Sequence, residues 1–107
     1  MAEPQVVDWL GQDFSEVRPG IHGATIDSEQ LTVTVYRYEP GSSWEEHAHP
    51  EDQVTTVVSG GEIEFTVGGN TVRLRPGQLA LIPGGTPHSA RTGDEEVVAL
   101  NVWRLRS

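Results

Sequence analysis

Gly41-Ser-Ser-Trp-Glu-Glu-His47-Ala-His49-Pro-Glu-Asp-Gln53 sets two histidines two residues apart in a segment that reads as a β-strand. Side chains alternate faces along a strand, so His47 and His49 point the same way. Counting on by twos reaches Gln53. Two neutral imidazoles on one face begin a metal site, because imidazole ligates zinc, copper, iron and nickel. A further histidine, His88, follows Pro83-Gly84-Gly85 in a later segment, and Pro87 limits its approach. Three of the four histidines in the chain fall in these two segments.

Outward from this stretch, 12 glycines and 7 prolines cut the chain into short pieces with no sustained helical period. Leu31-Thr-Val-Thr-Val-Tyr-Arg-Tyr38 alternates clearly and is rich in β-branched and aromatic residues, so a strand is predicted there. Further strands are predicted at 43–49, 52–58, 62–67, 71–75, 79–83, 86–91 and 96–105. Gly68-Gly69-Asn70 reads as a hairpin turn between two of them. Residues 52–58 and 62–67 also read as neighbours across Gly60-Gly61. Before residue 31, Gln5–Leu10 reads as an edge strand, Gly11–Gly20 as a polar connection, and Ile21–Ile26 as a weakly alternating run. Many short, evenly spaced strands imply an antiparallel sandwich or barrel. The expected organisation is one structural domain, an N-terminal extension over 1–30 and a barrel over 31–107.

The totals restrict the function. With 107 residues, one domain and one core are expected. No cysteine is present, so a metal must be held by nitrogen and oxygen. A net charge of −9 argues against nucleic acid or an anionic membrane as partner, since both need a basic face. No apolar run approaches the roughly 18 residues of a membrane helix, and the N-terminus lacks the pattern of a secretory signal. A cytoplasmic location is expected.

The frame Gly41-x5-His47-x-His49-x3-Gln53-x6-Gly60, followed by Gly77-x5-Pro83-x-Gly85-x2-His88, resembles the two signature motifs of the cupin superfamily. Two positions depart from the usual pattern: Gln53 replaces a glutamate and Thr92 an asparagine. The resemblance implies a small all-β, antiparallel jelly-roll barrel with one divalent transition metal (Zn, Fe, Ni, Mn, Co or Cu) in its mouth. The implied ligands are His47, His49, Gln53 and His88. Gln53 either ligates through its amide oxygen or stands behind three histidines. With no carboxylate ligand the site keeps a formal +2 charge, which acidifies a bound water and attracts anions such as a substrate carboxylate.

Other candidates follow from parity. Glu45 shares the face of His47 and is a candidate acid or base. Asn101 and Trp103 alternate on one face of the last strand, toward the cavity. Tyr36, Arg37 and Tyr38 are placed to line the mouth, where an arginine would bind a carboxylate bidentately. Trp44 falls on the opposite face, for packing or a dimer contact, and His22 lies outside the motifs. The phrase His-x-His-Pro-x-x-Gln and the ending Asn101-Val-Trp103 are similar to the cupins of uronate breakdown, which convert unsaturated uronates from pectin and alginate. Those proteins tend to carry aspartate where this chain has Asn101, and an amide cannot act as a carboxylate base. The resemblance leaves three activities open: metal-assisted proton transfer on a small oxygenated acid, a three-histidine iron dioxygenase, and a binding module without turnover. A homodimer is expected, with the strand at 5–10 added to a neighbour's sheet edge.

Overall fold

The computed structural model describes residues 3–104. Ten strands form two antiparallel sheets: β1 (Ser15–Arg18), β2 (Ile21–Asp27), β3 (Leu31–Tyr38), β4 (Ser43–His47), β5 (Gln53–Gly60), β6 (Ile63–Val67), β7 (Asn70–Leu74), β8 (Leu79–Ile82), β9 (His88–Thr92) and β10 (Val97–Arg104). One sheet has the order β1-β2-β3-β10-β5-β8, the other β4-β9-β6-β7. The all-β antiparallel barrel expected from the sequence is therefore observed.

Alternation explains how β3 is buried. Thr32, Thr34, Tyr36 and Tyr38 face inward and are buried, whereas Leu31 and Arg37 are exposed. Between the sheets Ile21, Val57, Ile63, Val97 and Ala99 are almost completely enclosed. Each such aliphatic side chain contributes roughly 1.5–3 kcal/mol by leaving water, the alanine less.

Four features differ from the sequence reading. Residues 5–8 form no strand, and Trp9–Gly11 is a single 3₁₀ turn. A run of Val-Val-Asp-Trp-Leu has strand propensity but no partner, and propensity alone does not hold a strand. The polar connection contains β1, which pairs with β2 through a bulge at Glu16–Arg18. Strands β5 and β6 are not neighbours: β5 pairs with β10 and β8, and β6 with β7 and β9. Gly60 carries the chain from one sheet to the other, with φ +95° and its α-carbon so close to the Glu96 carbonyl oxygen that a side chain would collide. The hairpin predicted at Gly68-Gly69-Asn70 does join β6 to β7.

The fourth difference concerns β4. The strand ends at His47, so Ala48 and His49 lie in the loop beyond it. A bulge between Trp44 and His47 shifts the register against β9. A bulge inserts one residue and reverses parity beyond it.

Candidate metal centre

The loop from His49 to Gln53 is tied to the turn before β9. Gly85 donates its N–H to the His49 carbonyl at 2.7 Å, and Gly84 donates to the Asp52 carboxylate at 2.8 Å. A side chain on Gly84 would run into the Pro50 carbonyl, which accounts for a glycine there. Thus the two histidine-bearing segments meet at one end of the barrel. His47 and His88 are opposite each other in the β4–β9 register.

Their rings converge. The centroids are 4.3 Å apart for His47 and His88, 5.1 Å for His49 and His88, and 5.9 Å for His47 and His49. One nitrogen from each lies within 4.8 Å of the others. The remaining nitrogens fix the tautomers: Nδ1 of His47 faces the Glu45 carbonyl at 2.9 Å, that of His49 the Glu51 carbonyl at 2.9 Å, and that of His88 the Thr86 carbonyl at 2.8 Å. A carbonyl only accepts, so each Nδ1 carries the proton and each Nε2 presents a lone pair. Metal-bound histidines are held in this way by their second nitrogen.

The His88 lone pair tests whether these residues suit a metal. Its Nε2 is buried without a hydrogen-bond partner, and the residue is 2% exposed. Leaving a polar atom unpaired in the interior costs on the order of 1–3 kcal/mol. Burial holds the His88 pKa below its ordinary value; the Thr86 carbonyl pulls it up, and His47 and His49 push it further down. The imidazole is thereby kept neutral, the form that ligates. The donor set therefore fits a divalent transition metal.

Gln53 opens β5 and is buried, with its Oε1 2.9 Å from Nε2 of His49. The Glu51 carboxylate also lies 3.8 Å from Nδ1 of His49. The spacing alone had left the site with a full +2 charge; the fold sets one negative charge beside it.

The cavity adjoining the imidazoles measures about 30 Å³ and is lined chiefly by Tyr36, Tyr38, Trp44, Phe65, Asn101 and Trp103. That is room for small occupants such as an ion and a water, so a larger molecule has to lie across the mouth. The Trp103 ring lies 5.4 Å from the His49 ring, tilted by 38°. Burial raises the pKa of both tyrosines; for Tyr36 a Thr34 hydrogen bond and the Arg18 charge partly offset this.

Tyr38, Asn101 and Trp103 thus lie at the cavity, as does Tyr36. Arg37 does not: it is exposed on the outer face, with its guanidinium 5.3 Å from the Phe14 ring centre. Its neighbours Tyr36 and Tyr38 take the inward positions, so strict alternation turns it away. Glu45 is exposed and borders a shallow groove with Glu64, Thr66 and Thr71, outside the cavity. It meets the site through its backbone carbonyl, on His47. Trp44 takes the inward place that parity had given to Glu45, because of the bulge, and its ring lies 5.9 Å from His47. His22 is bonded to Glu39 at 2.7 Å near the edge of the larger sheet.

Arg18 was not foreseen. It is exposed on β1, with its guanidinium 5.2 Å from the centre of the Trp44 ring, a ring that lines the cavity. Arg73 and Arg91 pair with Glu64, and Arg75 with Glu62, beside a larger open groove at the other end of β9. No sequence signal marked Arg18, since β1 has no alternation and is exposed throughout.

Known proteins resemble this chain over most of its length. Dimethylsulfoniopropionate lyase DddQ of Ruegeria pomeroyi is 34% identical over 83 residues, 77% of this chain and 41% of that protein. H2HPP isomerase of Bacillus subtilis is 34% identical over 108 residues, 97% of this chain and 41% of that protein. The chain therefore spans about two fifths of the length of these curated relatives. Among solved structures, KdgF from Halomonas sp. superposes with a TM-score of 0.86 at 23% identity, over 99% of this chain and 96% of that one, a likeness of fold. The cupin domain family matches residues 34–103, a span from β3 to β10 that holds all three converging histidines, and the chain belongs to that family.

Proposed function

We propose that this protein is an enzyme that binds one divalent transition metal through His47, His49 and His88, with the Gln53 amide oxygen as fourth ligand, and acts on a small oxygenated acid such as a sugar acid. One observation carries the reading: three Nδ1 protons are fixed on backbone carbonyls while three lone pairs converge, one of them buried without a partner. When bound, the metal supplies Lewis acidity toward a carbonyl or hydroxyl oxygen.

The other lining residues divide the remaining work. Trp44 and Trp103 flank the imidazoles and supply an apolar wall to the cavity. The Asn101 amide cannot act as a carboxylate acid or base, so acid chemistry falls to a phenol. We assign that role to Tyr36, which lines the cavity beside Trp44; burial raises its pKa, and the Thr34 hydrogen bond and the Arg18 charge partly offset the rise. Its Oη donates a proton to the substrate oxygen. Arg18, whose guanidinium lies over the Trp44 ring, attracts the substrate carboxylate. The resemblance of the motif to uronate-breakdown cupins supports a sugar acid.

The test is elemental analysis of the purified protein, then chelation and metal restoration, with unsaturated uronates and related hydroxy acids as substrates. Activity that disappears on chelation and returns with the metal supports the reading. Oxygen consumption by iron-loaded protein would favour a dioxygenase instead, and a ligand recovered intact after long incubation would favour a binding module.

The same reading includes a homodimer, formed by a different surface from the strand at 5–10. Leu81, Val54, Val102, Val33 and Ile26 are cross-strand partners in one row on the outer face of the larger sheet. On edge strand β8, Leu79 is 58% and Leu81 73% exposed. A second copy of the chain is the occupant proposed for this face. A cytoplasmic setting belongs to the same proposal.

A further inference from the structure

We propose that Thr55 and Asn101 are positioning residues that turn the Gln53 amide oxygen toward the metal centre, and that the same three groups turn it away when the metal leaves. The inference rests on the metal reading above. Gln53 and Thr55 lie two apart on β5, and Asn101 is the partner of Thr55 on β10. All three are buried, at 3%, 1% and 8% exposure. Gln53 Nε2–H donates to Thr55 Oγ1 at 2.7 Å, and Thr55 Oγ1–H donates to Asn101 Oδ1 at 2.8 Å.

This sense of the chain has a consequence at its open end. It leaves Gln53 Oε1 facing His49 Nε2 at 2.9 Å. His49 has its proton on Nδ1, bonded to the Glu51 carbonyl. Two lone pairs therefore face each other, an arrangement that repels unless a cation is shared between them.

The opposite sense satisfies every group without a metal. Asn101 Nδ2–H donates to Thr55 Oγ1, Thr55 O–H donates to Gln53 Oε1, and Gln53 Nε2–H donates to His49 Nε2. Reversal is possible because an amide and a hydroxyl each both donate and accept. It needs two amide flips and one hydroxyl rotation, with no shift of the backbone. An aspartate at 101 would only accept, and would hold the chain in the metal-binding sense.

Cobalt(II) binding tests this, read as dissociation constant and as the intensity of the visible bands, which reports coordination number. T55V is expected to weaken binding about tenfold or more, in line with other residues that orient ligands from behind, and to change the band intensity. T55S, which keeps the hydroxyl, is expected to restore both. N101D is expected to tighten binding in the wild-type background and to have no such effect in T55V, since a charge acting through space would persist there. Should T55V fail to fold, N101A removes the acceptor from β10 and is expected to weaken binding severalfold. T55V or N101A binding cobalt as wild type does, or N101D acting equally in both backgrounds, would overturn the relay alone. Wild-type protein that takes up no cobalt would overturn the metal reading itself.

Discussion

His47 ends β4 and His88 begins β9, and the two are direct cross-strand partners with ring centroids 4.3 Å apart. Neighbours this close, with both Nδ1 protons committed to carbonyls, turn their lone pairs on each other. An ion between them relieves that repulsion.

Metal should therefore stabilise the fold. At a free metal concentration 100 times the dissociation constant the gain is about 2.7 kcal/mol. For a domain of this size that corresponds to a rise in Tm of roughly 10 °C or more. Differential scanning fluorimetry with and without chelator checks this, and H88A is expected to abolish the difference. An unchanged Tm in wild type would contradict it.

Gly84 is expected to tolerate no side chain. G84A would push a methyl group into the Pro50 carbonyl and pull the His49–Gln53 loop from its turn. A loss of about 1–3 kcal/mol in urea unfolding is expected, with weaker metal binding. By contrast Gly69 has open space around its α-carbon, but its φ of +85° makes alanine strained for a different reason. G69A should cost stability and leave metal affinity as it was.

Arg18 offers a test of substrate charge. R18Q should raise KM for anionic substrates about tenfold and leave neutral analogues unaffected, as steady-state kinetics would show. Equal effects on both would remove Arg18 from binding.

The β8 surface should hold two copies together. L79E with L81E places like charges on both sides of the proposed interface and should yield monomers by light scattering. Retention of the dimer would move the interface elsewhere.

Glu64 gives a pH dependence apart from the site. Its pKa is held below the ordinary value of 4.5, first by the Arg91 hydrogen bond and then by Arg73. A depressed carboxylate stabilises above its unfolded pKa, and that contribution is lost as pH falls through the folded value. In E64Q the acid limb of a stability–pH curve below about pH 4.5 should flatten slightly, as the carboxylate is solvent-accessible.

Much of the barrel was legible because β-branched alternation and glycine–proline punctuation are local signals. Leu31–Tyr38 is an example: eight residues, one pattern, and the predicted strand at the same bounds. What failed was non-local. The pairing of β5 with β10 in place of β6 depends on which sheet each strand joins, and nothing within residues 52–67 encodes that. The three histidines converge, yet the simple parity argument did not produce this. His49 lies beyond the strand end, and it reaches the centre because the Gly85 N–H holds its carbonyl. The bulge between Trp44 and His47 exchanged the places expected for Trp44 and Glu45. Arg18 was invisible because its importance comes from a neighbour 26 positions away, Trp44.

The donors of the centre are divided between the two layers of the sandwich. His47 ends and His88 begins a strand of the smaller sheet, Gln53 begins a strand of the larger, and His49 lies in the loop between β4 and β5. An ion held there would work as a clasp at one end of the barrel, because the sheets could not part without tearing a donor from it. The metal proposed for this centre would thus fasten one layer to the other as well as serve the chemistry.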